Sequence, residues 1–93
     1  MIKSFRCKET AKIFQRERSK KLSNQIHERA LRKLQMLDAA SRLDHLAMFP
    51  GNQLEQLRGD RAGQHSIRIN KQWRICFVWR NGEAHEVEIV DYH

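Results

Sequence analysis

Proline occurs once in this sequence and glycine four times, so no Pro- or Gly-rich linker divides the chain and no glycine-rich phosphate loop is present. The two cysteines, Cys7 and Cys76, have neither CxxC nor zinc-finger spacing. That removes a disulfide scaffold and a thiolate metal site, and leaves two reduced, buried packing residues as the expectation. Five histidines show no HxH or HExxH pattern, so neither a metal nor a cofactor is expected. The longest apolar run, Ile75 to Trp79, is far below the roughly 20 residues needed to cross a bilayer. The opening MIKSFRCKET has no apolar signal-like stretch, and the expected location is the cytoplasm, with no membrane partner. Repeats and a nucleophile elbow are absent as well. What remains is one small domain over residues 1–93.

Positive charge, in contrast, is plentiful and unevenly placed. The formal net charge is +7. Residues 1–42 hold twelve Lys or Arg against four Asp or Glu, a net of +8, whereas residues 43–93 hold six against seven, a net of -1. Such a field suits a polyanion, because each neutralised phosphate releases condensed counterions whatever the base sequence. A solvated, solubilising helix face is the plainer reading of any one charge run. At this density, with a pI near 10.0, nucleic-acid contact is the stronger reading.

Periodicity predicts a short strand at Ile2 to Arg6, a helix over Lys8 to Arg18 with Ala11, Ile13 and Phe14 inward, and a polar break at RERSKK. A second helix, about Asn24 to Ala40, is the clearest element. Leu22, Ile26, Ala30, Leu34 and Leu37 form one stripe on a 3.6-residue period, and Ser23 is its expected N-cap. A helical turn in RLDHLAMFPGN follows, closed by Pro50-Gly51. From Gln53 the period becomes two: QLEQL, HSIRI, WRICFVWR and AHEVEIV read as strands. The expected class is α+β, an N-terminal strand, two helices, then a mostly antiparallel sheet with the helices on one face.

Parity separates the two faces of that sheet. Pairing Ile69 with Trp73 and Ile67 with Ile75 leaves Asn70, Lys71 and Gln72 as the loop and sets Arg68 opposite Arg74 on the other face. Directly opposed like charges are unfavourable, so a pair of forks able to grip phosphate oxygens is the better account than two arginines that merely reach solvent or a glutamate. Trp73 and Trp79 share the parity of Ile75 and Phe77 and are expected in the core, and His85 is expected as a half-buried strand residue. In the last hairpin a two-residue Asn81-Gly82 turn would put Phe77 opposite Glu86 and Ile75 opposite Glu88. A three-residue loop, Arg80 to Gly82, pairs Phe77 with His85, Ile75 with Val87 and Trp73 with Ile89, and is predicted instead.

Around the Arg68 and Arg74 face lie Arg58 and Arg61 flanking Gly59-Asp60, Glu55 on the weak strand before them, and the closing Asp91, Tyr92 and His93. Metal-free cleavage of RNA needs a base for the 2'-OH proton, an acid for the leaving 5'-oxygen, and cations over the pentacoordinate phosphate. All three kinds of group are here, although any basic protein of this size has some of them.

The opening MIKSF, LDAA at Leu37 to Ala40, LRGDRAGQHSIRIN, QWRICF and the terminal VDYH, in this order, resemble the HigB-type toxins of bacterial toxin-antitoxin pairs, within the RelE superfamily. The resemblance spans essentially the whole chain. It implies a RelE-like fold and a ribosome-dependent endoribonuclease that cuts mRNA in the A site, using the substrate 2'-OH and no metal ion. It implies a HigA-type helix-turn-helix antitoxin as partner, with operator DNA bound only through that antitoxin, besides the 70S ribosome, its rRNA and mRNA. Arg74 matches the arginine of the WRI motif and would stabilise the phosphorane. Arg58 stands where Lys often precedes Gly-Asp and would contact the scissile phosphate. Asp91, Tyr92 and His93 match the terminal motif, with His93 transferring protons, Tyr92 stacking or assisting, and Asp91 orienting. Several members carry histidine where this chain has Glu55, so the general base is Glu55 or His93. Arg61 and Arg68, with Arg29, Arg32 and Lys33 on the second helix, are the candidate RNA-binding residues. The runner-up is a non-catalytic basic RNA-binding or ribosome-associated protein. A DNA-binding regulator is disfavoured, since the basic residues lie on no evident helix-turn-helix. Strict alternation sends Tyr92 to the Arg74 face and Asp91 and His93 to the other.

Overall fold

In a computed structural model, residues 1–91 are described; Tyr92 and His93 lie outside the described residues. Helix α1 spans Lys8–Phe14, α2 Asn24–Ala39 and α3 Leu43–Ala47, with 3-10 turns at Pro50–Asn52 and Gly59–Arg61. The strands are β1 (Glu55–Gln56), β2 (Gln64–Arg68), β3 (Trp73–Arg80) and β4 (Glu83–Asp91), in one sheet of order β1-β2-β3-β4. Every neighbouring pair is antiparallel. The α+β class is as expected. The N-terminal strand is reduced to two isolated bridges, Ile2 to Ala84 and Phe5 to Val87, parallel to β4, and the helical turn expected in RLDHLAMFPGN is the short helix α3. None of the helices among the described residues is long and apolar enough to cross a membrane.

The stripe on α2 does what its spacing promised. Ile26, Ala30, Leu34 and Leu37 are buried, and they meet Ile67, Ile69, Ile75, Phe77, Val87 and Ile89 from one sheet face in a single cluster. Burying each large apolar side chain of this kind contributes about 1.5–3 kcal/mol. Ser23 caps α2 by accepting from the Gln25 N–H at 3.2 Å, and Trp73 and Trp79 pack against the same cluster. Helix α1 ends four residues earlier than its pattern suggests, at Phe14 instead of Arg18. The cause is Arg16, at φ 65. The Arg16 N–H bonds the Ile13 carbonyl and the Glu17 N–H bonds the Lys12 carbonyl, which is the Schellman closure normally given to glycine.

The β2–β3 hairpin has the expected register, with Ile67 opposite Ile75 and Arg68 opposite Arg74. The Asn70 side chain closes its loop, accepting from the N–H groups of Gln72 and Trp73, each at 2.8 Å.

The β3–β4 hairpin differs from expectation. Arg80 pairs with Glu83, so the turn is the two residues Asn81-Gly82, both at positive φ (53 and 76), as a mirror-image turn requires. The conflict with the glutamates is resolved inside the strands. His85 faces Val78 and Glu88 faces Cys76, so Phe77 stands against two residues, Glu86 and Val87, with Glu86 at φ 51. This bulge restores the apolar pairing, now Ile75 with Ile89, and sets Trp73 opposite Asp91. It is held from outside the hairpin: the Glu86 N–H donates to Ser4 Oγ at 2.8 Å and the Val87 N–H to the Ser4 carbonyl at 3.0 Å.

His65 lies on the core side, opposite Phe77, with the rings stacked at 6.1 Å. Its Nδ1 is buried without a hydrogen-bond partner among the described residues, and burial holds its pKa below 6.5. The unfolded chain therefore takes up this proton first as pH falls. Stability is full above about pH 6.5 and declines as pH drops through that value toward the folded pKa. Urea denaturation at about pH 7.5 and about pH 5.5 is expected to show a steeper loss in the native chain than in His65→Phe.

Candidate active site

The face of the sheet away from the helices carries, in cross-strand rows, Glu55, Ser66, Cys76 and Glu88, then Arg68, Arg74 and Val90. Arg74 is only 5% exposed, and three residues hold it there. Its Nε donates to Ser66 Oγ at 2.7 Å, and its Nη2 donates to the Gln53 carbonyl at 2.5 Å and the Ser66 carbonyl at 3.3 Å. Its Nη1 lies 3.8 Å from Glu55 Oε1. A guanidinium fixed at so many points cannot sweep through rotamers, and it forms the floor of a cleft of about 290 Å3 lined by Gln53, Glu55, Arg68, Asn70, Lys71 and Arg74.

The rim of the cleft is positive. Lys33 from α2 has its pKa lowered, by burial first and then by the charges of Arg29 and Arg68, so its ammonium feels both arginines. Its ammonium donates to Asn52 Oδ1, and the Arg29 guanidinium reaches the Ile69 carbonyl at 3.5 Å. Like charges crowded around a cleft store repulsion that an entering phosphate relieves. Arg32 stands apart from this group, exposed on α2 and paired with Glu28, one turn before it, at 2.5 Å.

Arg61 turns to the other end of the same face, donating to Glu88 at 2.8 Å and to Gln64 at 3.1 Å. Between the two arginines sits Cys76, whose thiol is pushed up in pKa by burial, with Arg61, Glu88, Arg74 and Glu55 all acting on it. Both cysteines are free thiols, Cys76 buried and Cys7 half-buried. Arg58 is exposed at the start of the Gly59–Arg61 turn.

Of the residues singled out from sequence, the structure therefore brings Glu55, Arg68 and Arg74 to one cleft, with Arg29 and Lys33 at its rim. It does not bring Asp91 there by strand register: Asp91 pairs with Trp73, on the opposite parity from Arg74 and Val90, and accepts from Gln72 Nε2 at 3.0 Å. The assignments of Tyr92 and His93 lie outside the described residues. Sequence reasoning missed Gln53, Ser66 and Glu88. Ser66 and Glu88 share Arg74's face and are open to a parity argument, whereas nothing local marks the Gln53 carbonyl.

Over residues 3–93 the sequence matches the family described as RelE-like toxin of type II toxin-antitoxin system HigB. It is 41% identical over 68 residues to Toxin HigB-1 of Vibrio cholerae, covering 73% of this chain and 72% of that protein. It is 34% identical over 93 residues to Endoribonuclease HigB of Proteus vulgaris, covering 100% of both. The fold is similar to a chain of the YoeB-YefM complex from Staphylococcus aureus, with a TM-score of 0.61 at 18% identity over 100% of this chain and 98% of that one. A heterotetrameric YoeB-YefM toxin-antitoxin complex from the same organism gives 0.60 at 17% identity, with the same coverage of 100% and 98%.

Proposed function

The chain belongs to the HigB-like family of RelE-like toxins of type II toxin-antitoxin systems, and from that premise we propose that it is a ribosome-dependent endoribonuclease that cuts mRNA in the A site. The observation that carries this reading is the buried, fourfold-held Arg74 at the floor of a cationic cleft. Transfer through phosphorus has little covalent chemistry for a protein to supply, so positioned charge is the main lever. In the proposed reaction a base, Glu55 or His93, takes the proton of the substrate 2'-OH. The 2'-oxygen attacks the adjacent phosphorus, and Arg74, assisted by Arg58 and Arg68, balances the extra charge of the phosphorane. The 5'-oxygen leaves with a proton from a terminal-segment acid, giving a 2',3'-cyclic phosphate and a 5'-OH without a metal ion.

The relatives' names and the toxin-antitoxin complexes among the similar structures support an antitoxin partner, which we take to be a HigA-type helix-turn-helix protein that also carries the pair to operator DNA. The surplus of cations on the first half of the chain suits the phosphates of rRNA. Expression of the chain with and without that antitoxin tests the proposal. Growth arrest relieved by the antitoxin, with new mRNA 5' ends inside translated codons, is the expected result. Arrest with intact mRNA would overturn it in favour of non-catalytic ribosome binding.

A further inference from the structure

Asn52 is fully buried at the end of the Pro50–Asn52 turn, and its side-chain amide is bound to α2 and α3. Its Nδ2 donates to the Leu46 carbonyl at 3.0 Å and to Met36 Sδ at 3.2 Å, and its Oδ1 accepts from Lys33. A buried amide is tolerated only when satisfied in this way. The next residue, Gln53, stands at φ 42 and ψ 56, left-handed geometry that a residue with a side chain keeps only when its surroundings impose it. In that geometry the Gln53 carbonyl meets Arg74 Nη2.

The geometry points to Asn52 as a positioning residue: it clamps the Pro50–Gln53 segment between α2 and α3 so that the Gln53 carbonyl holds one side of the Arg74 fork while Ser66 holds the other. The inference rests on Arg74 being the phosphate-binding cation of the proposed nuclease. A bare packing role would be filled as well by an apolar side chain, and would leave Gln53 free to relax out of the left-handed region. The clamp also joins the cleft's rim to its floor, because Lys33, which Asn52 engages, is the cation that feels Arg29 and Arg68.

The test is single-turnover cleavage of ribosome-bound mRNA, with thermal melts of every variant. Asn52→Ala is expected to lower the cleavage rate about 10- to 100-fold with little change in the concentration needed for half-saturation. In an Arg74→Lys background, where no fork remains to be held, the same substitution is expected to change the rate less than about twofold. Equal losses in both backgrounds would overturn the inference and make Asn52 a packing residue. Gln53→Val is the second variant, on an exposed residue, should Asn52→Ala fold poorly. It keeps the N–H but resists positive φ, and it is expected to reproduce the rate loss with a near-native melt; a native rate would overturn the clamp. Failure of the native chain to cleave at all would instead strike the proposed function itself.

Discussion

Replacing Arg74 with alanine is expected to reduce cleavage of ribosome-bound mRNA by about 10²- to 10³-fold, the range seen when one preorganised charge-stabilising donor is lost. Growth arrest on induced expression should disappear with it. The expectation follows from where the structure spends its hydrogen bonds. A surface arginine would need none, yet this one is 5% exposed and held by Ser66, Gln53 and Glu55. Arg74→Lys keeps a positive charge but loses the planar fork, so it should recover only part of the rate. Removing the side chain also leaves Ser66 Oγ and the Gln53 carbonyl short of a donor, at a cost of about 1–3 kcal/mol for each group that stays dry. Melting curves therefore accompany the kinetics. A well-folded Arg74→Ala chain that still arrests growth like the native one would sink the catalytic assignment.

The opposed arginines show what a sequence can disclose. Arg68 and Arg74 can be placed face to face because the Asn70 to Gln72 loop is short and the alternation around it is clean, both local properties. The bulge at Glu86 cannot be placed that way, because it is held by a hydrogen bond to Ser4, 82 residues away. The same distance effect hides the Gln53 carbonyl, whose direction depends on Asn52 being gripped by α2 and α3. The pattern overstates helix α1 for a different reason: Arg16 takes the left-handed position that glycine normally signals. In the cleft, then, the charged side chains are legible from parity and the resemblance, while the backbone and neutral groups that aim them are not.

Deleting Asp91, Tyr92 and His93 is expected to disarm the chain while leaving it folded. On the folding side, β4 loses its last described pair, Asp91 with Trp73, and the hydrogen bond from Gln72. The pairs of Val90 with Arg74 and Ile89 with Ile75 remain, as does the bond from the Ile89 N–H to Thr10 Oγ1 that ties β4 to α1. The core cluster ends at Ile89, so the stability change should stay near the roughly 1 kcal/mol on which single changes centre. On the catalytic side the deletion removes the proposed proton-transfer group, and loss of a positioned acid or base is worth about 10²- to 10⁴-fold. Deleting His93 alone, read beside Glu55→Gln, separates the two candidates for the base. A loss in that range on deletion with near-native cleavage in Glu55→Gln assigns the base to His93. Near-native cleavage on deletion with a large loss in Glu55→Gln assigns it to Glu55, and large losses in both make Glu55 the base and His93 the acid. A three-residue deletion that cuts mRNA at the native rate would leave no chemical role for the terminal segment.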